Sequence, residues 1–103
     1  MKSIDGVELK GLQNNKEKIL VDFWAPWCAP CRSLMPMLES IEGDHTSVKF
    51  VKINIDENMD LALEMGITSV PTVMIFDGGN LLHKKIGLNP KNVYNDILNS
   101  FNV

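Results

Sequence analysis

Apolar residues along this chain alternate between two periods. The run Ile19-Leu20-Val21-Asp22-Phe23-Trp24 is nearly all apolar, β-branched or aromatic. Such a run reads as a strand covered on both faces, as in a sheet flanked by helices. Val48 to Ile55 and Thr72 to Phe76 predict further strands. Asp77-Gly78-Gly79-Asn80 is a turn signal, and Leu81 to Ile86 should pair back as a hairpin. Between the strands the period lengthens. Leu34, Leu38 and Ile41 recur at spacings of four and three, which predicts a helix stopped by Gly43. Pro36 lies inside it, where loss of a backbone donor and a clash with the preceding turn should kink it. Asp56 to Met65 predicts a helix ending at Gly66. The last helix should have Asn89 as N-cap and Pro90 at its first position, with an apolar stripe of Val93, Tyr94, Ile97, Leu98 and Phe101. Near the start, Asp5 and Glu8 stand as in a capping box, with Asp replacing Ser or Thr, ahead of a short helix over Gly6 to Asn14.

The resulting order is helix, strand, helix, strand, helix, strand, strand, helix. Alternation in the first half implies parallel strands joined by crossover helices, and the late hairpin implies an antiparallel edge. The expected fold class is α/β, a mixed sheet with helices on both faces.

Composition narrows the function. At 103 residues the chain has the size of one compact domain. Its 45% hydrophobic and 22% charged content is ordinary for a soluble globular protein. No run of apolar residues is long enough to span a bilayer. Met1-Lys2-Ser3-Ile4-Asp5-Gly6 lacks the apolar core of a secretory leader, so a cytoplasmic location is expected. The ten basic residues are scattered and the net charge is −3, a poor footprint for nucleic acid.

Cys28 and Cys31 are the two cysteines, with only Ala29 and Pro30 between them. A bridge that closes so short a loop adds little stability. In a reducing compartment the pair reads as redox chemistry or as metal binding. Its position is informative, because Trp27-Cys28-Ala29-Pro30-Cys31 falls at a strand-to-helix junction. The first turn of a helix has unpaired N–H groups and the positive end of the dipole. A thiolate there is stabilised and more abundant at neutral pH. Cys28 begins the turn and can expose its sulfur. Cys31, one turn on, is within reach and more covered. Cys28 is thus expected to attack a substrate disulfide, and Cys31 to resolve the mixed disulfide.

The run Val21-Asp22-Phe23-Trp24-Ala25-Pro26-Trp27-Cys28-Ala29-Pro30-Cys31 resembles the active-site segment of the thioredoxin family. Pro36, Lys52-Ile53-Asn54-Ile55-Asp56, Val70-Pro71-Thr72, Phe76-Asp77-Gly78-Gly79 and Ile86-Gly87 match further family segments in order, over almost the whole chain. The resemblance implies a single thioredoxin-fold domain over residues 1–103, with a central mixed sheet of four to five strands. It implies a thiol-disulfide oxidoreductase, a protein-disulfide reductase with a redox-active Cys28–Cys31 disulfide and no bound cofactor. It implies that Asp22 is a buried carboxyl moving the proton of the second cysteine, with Lys52 near it. Burial would raise its pKa toward the range that suits a general base. It places Trp27, Ala29, Pro30, Val70, Pro71, Ile86 and Gly87 where the family docks substrate. A cis Val70–Pro71 bond would leave the preceding backbone free to pair with an extended peptide. The implied partners are client proteins with disulfides and a thioredoxin reductase, an NADPH-linked flavoenzyme, acting on a monomer. Two departures stand out. Ala29 replaces the glycine of Trp-Cys-Gly-Pro-Cys, and the N-terminus leaves only Lys2 to Asp5 for a first edge strand, which should be very short or missing.

A disulfide oxidase or isomerase would use the same cysteines at a different potential. A docking subunit would use the groove alone and survive replacement of both cysteines by serine. A zinc site would need His45 and His83, and these are too far apart in sequence for the ~3–5-residue spacing of a finger.

Overall fold

The computed structural model describes residues 1–102, Asn102 by its backbone alone. Strand β1 (Lys2–Ser3) leads to helix α1 (Gly6–Asn14) and strand β2 (Lys18–Trp24). Helix α2 (Ala29–Glu42) and strand β3 (Lys49–Asn54) follow, then helix α3 (Met59–Glu64). The hairpin of β4 (Thr72–Asp77) and β5 (Asn80–Ile86) leads to helix α4 (Lys91–Asn99) and a short 3₁₀ turn at Ser100–Asn102. The five strands lie in the order β1-β3-β2-β4-β5. β3 is parallel to β1 and β2, whereas β4 is antiparallel to both β2 and β5. The short first edge strand therefore exists, two residues long.

Period-two alternation sends each central strand into two cores. Ile19, Val21, Phe23, Val51, Ile53, Met74 and Phe76 pack with Leu9 of α1 and Leu61 of α3. Leu20, Phe50, Val73 and Ile75 pack on the other side with Leu34, Leu38 and Ile41 of α2 and Tyr94 and Leu98 of α4. Helices thus cover both faces, which is why the strand sequences are almost continuously apolar.

The ends of several elements differ from the sequence expectation, each for a local reason. α1 begins as expected, with the Glu8 N–H donating to Asp5 Oδ1 at 2.9 Å. α2 runs unbroken through Pro36 and stops at Gly43. α3 starts at Met59, not Asp56, because an Asn54-centred turn takes the intervening residues. The Asp56 N–H donates to Asn54 Oδ1 at 2.9 Å, and Asn58 Nδ2 donates to the Asn54 carbonyl at 2.9 Å. β3 loses Val48 to a turn in which its N–H donates to the His45 carbonyl at 3.0 Å. The hairpin loop is only Gly78-Gly79, since Asn80 already pairs with Asp77, and Gly78 takes a positive φ of 60° suited to so tight a loop. Asn89 is not the cap of α4; Pro90 is, with Lys91 the first helical residue. The Asn89 side chain instead donates to the carbonyls of Ile86 (3.3 Å) and Gly87 (3.4 Å) and to the Tyr94 hydroxyl (3.4 Å).

Candidate active site

Where β2 runs out, a short loop leads straight into α2, and Cys28 is the N-cap of that helix. The Cys31 N–H donates to Cys28 Sγ at 3.2 Å, so the sulfur occupies the place a capping oxygen usually takes. Pro30 sits in the first turn, where its missing N–H costs nothing. The Cys28 N–H donates to the Ala25 carbonyl at 3.1 Å and Arg32 Nη1 to the Pro26 carbonyl at 2.9 Å, which fixes the loop against the helix start. Cys28 and Cys31 are joined in a disulfide, with their Cα atoms 5.3 Å apart. Among the described residues no group of three or more His, Cys, Asp or Glu side chains could hold a metal ion. His45 is buried against Asn95 and His83 lies exposed on β5, so neither stands with the cysteines.

In this oxidised state Cys28 is only 4% exposed and Cys31 fully buried. The open sulfur expected at Cys28 is largely covered, because both cysteines pack with Ala25 against Trp24, Ile55 and Val70. Ala29 and Pro30, between them, are exposed.

Asp22 and Lys52 face each other as register partners of β2 and β3. Alternation puts Asp22 on the α2/α4 side of the sheet, between Leu20 and Trp24. Its side chain is fully buried, and neither carboxylate oxygen accepts a hydrogen bond among the described residues. Burial pushes this carboxyl up to about 7, with the Lys52 ammonium pulling the other way. Lys52 is half-buried; its Nζ donates to Met35 Sδ at 3.5 Å and lies 5.6 Å from the centre of the Trp24 ring.

Apolar surface surrounds the disulfide. Val70 is half-buried against the cysteines and joined to buried Pro71 by a cis peptide bond. The Gly87 N–H donates to the Pro71 carbonyl at 2.9 Å, tying the end of the hairpin to this loop. Gly87 does so at φ +81°, a conformation that L side chains rarely adopt. Trp27 is 66% exposed and Ile86 57% exposed. The Trp27 indole N–H donates to the Asp56 carboxylate, at 3.1 Å to Oδ2, which orients an otherwise free ring.

Sequence reasoning missed three of these neighbours. Leu88, next to Gly87, is exposed like Ile86, and an apolar residue just past a strand could have signalled it. Asp56, expected both at the end of a family-like segment and at the start of a helix, makes a bond to Trp27 that no local pattern announces. Nothing local in the sequence points to the contact between Met35 and Lys52. A concavity of about 680 Å³ lies elsewhere, between α1 and the β1 edge, and its lining residues include no cysteine.

The thioredoxin family model matches residues 9–100. The chain belongs to the thioredoxin family. It is 46% identical over 89 residues to the thioredoxin of Porphyra purpurea, covering 85% of this chain and 83% of that protein. It is 49% identical over 74 residues to the chloroplastic M-type thioredoxin of Chlamydomonas reinhardtii, covering 71% of this chain and 53% of that protein. Its fold superposes on Plasmodium falciparum thioredoxin with a TM-score of 0.89 at 25% identity, over 98% of this chain and 99% of that one. Fold, family and disulfide agree: this thioredoxin-family chain is a thiol-disulfide oxidoreductase, a dithiol redox carrier. No helix among the described residues is long and apolar enough to cross a membrane.

Proposed function

We propose that the chain works as a monomeric, cytoplasmic protein-disulfide reductase with Cys28 as nucleophile. The observation that carries this is the Cys28–Cys31 disulfide at the first turn of α2, with the Cys31 N–H already directed at the Cys28 sulfur. In the reduced protein that N–H and the helix dipole favour a Cys28 thiolate. The thiolate attacks one sulfur of a client disulfide, a mixed disulfide forms, and the first client sulfur leaves as a thiolate. Cys31 then gives its proton to the Asp22 carboxylate and attacks Cys28 Sγ. The second client thiolate leaves, and the Cys28–Cys31 disulfide closes. Two electrons pass from the dithiol to the client, and no bound cofactor enters the cycle.

Asp22 suits the proton transfer because burial holds its carboxyl near neutrality. Lys52 sets how far that rise goes. Trp27, Val70, Pro71, Ile86 and Gly87, beside Ala29 and Pro30, form the surface that receives an extended client segment. A separate thioredoxin reductase, an NADPH-linked flavoenzyme, restores the dithiol, which makes the chain an electron carrier in cell redox homeostasis. A reducing cytoplasm is consistent with cysteines that form a redox pair and staple nothing.

Reduction of a model protein disulfide by the dithiol form tests the reading. Cys28→Ser should abolish turnover. Cys31→Ser should leave the first attack intact and accumulate the Cys28-linked mixed disulfide, visible as a covalent adduct by mass spectrometry. Adduct formation through Cys31 in the Cys28→Ser variant, with none through Cys28 in the Cys31→Ser variant, would contradict the assignment.

A further inference from the structure

The Lys52 ammonium has two electron-rich neighbours besides Asp22, and both are assembled from the site's own elements. Met35, one turn along α2 from Cys31, accepts from Nζ through its thioether at 3.5 Å. The Trp24 ring lies 5.6 Å from the same atom, within cation–π range. Among the described residues Lys52 forms no ion pair with Asp22, although the two are register partners. A thioether is a weak acceptor, and a carboxylate would bind the ammonium far better if it were reached. We propose that Met35 is a positioning residue, which with the Trp24 ring holds the Lys52 ammonium at a stand-off from the Asp22 carboxylate.

The consequence follows from electrostatics. An ammonium that closes on a carboxylate stabilises its charged form and drives its pKa down. A stand-off leaves burial dominant, so the carboxyl keeps the proton affinity that the Cys31 step requires; the inference thus rests on the role proposed for Asp22. The other groups facing this region do not take over the role. On α4, the buried Tyr94 hydroxyl has its own pKa pushed up by burial and accepts from Asn89. On α2, Arg32 and Glu39 share with Met35 a cleft of about 220 Å³ beside Trp24 and Cys31. The Arg32 guanidinium is held by the Pro26 carbonyl and the Glu39 carboxylate by the N-terminal amine at 3.0 Å.

Titration of the Asp22 carboxyl carbon by NMR, in the oxidised wild type and in Met35→Leu, reads the effect without any turnover. Leucine conserves volume but removes the acceptor, so the fold should persist. The Asp22 midpoint should fall by about one pH unit as the freed ammonium moves to the carboxylate. In a Lys52→Gln background the same change at Met35 should leave the midpoint unmoved, since no ammonium remains to be positioned. An unmoved or raised midpoint in Met35→Leu overturns the proposal. So does a fall that persists without Lys52, which would mean that Met35 acts on Asp22 by packing alone. The catalytic reading of Asp22 fails separately, if Asp22→Asn leaves the rate of Cys31 attack unchanged.

Discussion

Strand β2 serves two cores, and they are built differently. Toward α1 and α3 it presents Ile19, Val21 and Phe23, buried among other apolar side chains. Toward α2 and α4 it presents Leu20, then Asp22 and Trp24, and the apolar packing is broken by a carboxyl that no donor among the described residues reaches. The first face obeys the ordinary rule that interiors exclude unpaired polar groups. The second breaks it at Asp22, close to the end of the strand that leads into the redox loop. A buried carboxyl with no hydrogen-bond partner among the described residues is a destabilising choice, and its presence on only one face of the same strand marks that face as the one built for chemistry.

Removing the exception should have the largest effect. Asp22→Asn keeps the shape and removes the charge. The folded carboxyl titrates at about 7 against 3.8 unperturbed, so the folded state binds more protons than the unfolded one between those values. Stability of the oxidised protein should therefore fall as pH rises from about 4 to about 7, by on the order of 4 kcal/mol, and then level off. Urea denaturation across that range should show this slope in the wild type and lose it in Asp22→Asn. The variant should be the more stable protein at pH 8, while its Cys31-dependent resolution slows by about 100-fold. The opposite face should respond in the opposite sense. Ile19→Ala deletes a fully buried side chain and should cost about 2–5 kcal/mol in the same denaturation, with the disulfide's potential unchanged.

Two smaller changes sharpen the comparison. Gly87→Ala meets no atom within 4 Å, so its effect is purely the positive φ, about 1–2 kcal/mol. It should also raise KM for a protein client, because the Gly87–Pro71 bond sits in the proposed docking surface. Asp5→Ala removes the α1 cap on the quiet face and should cost about 1 kcal/mol of stability with no kinetic consequence.

The two faces were unequally legible in the sequence. Strand and helix periods gave the elements and their order, and an aspartate between Val21 and Phe23 in an apolar run already implied a buried carboxyl. The redox pair was legible because its spacing and junction are local properties. What stayed hidden depends on contacts between distant segments or on competing local bonds. Asn54 claims the backbone ahead of α3, and Asn89 turns toward the hairpin end rather than capping α4. The bonds from Lys52 to Met35 and from Trp27 to Asp56 join residues from different elements, so no window of sequence contains them.

Whether the Cys28–Cys31 pair works as a reductant is decided by its place on the redox scale. Equilibrating the protein across a graded thiol–disulfide buffer, with the fluorescence of Trp24 and Trp27 as readout, gives its reduction potential directly. A reductant should sit around −270 mV, the general figure for thioredoxins. A value of about −120 to −180 mV would contradict that role, and would make the chain an oxidant or isomerase.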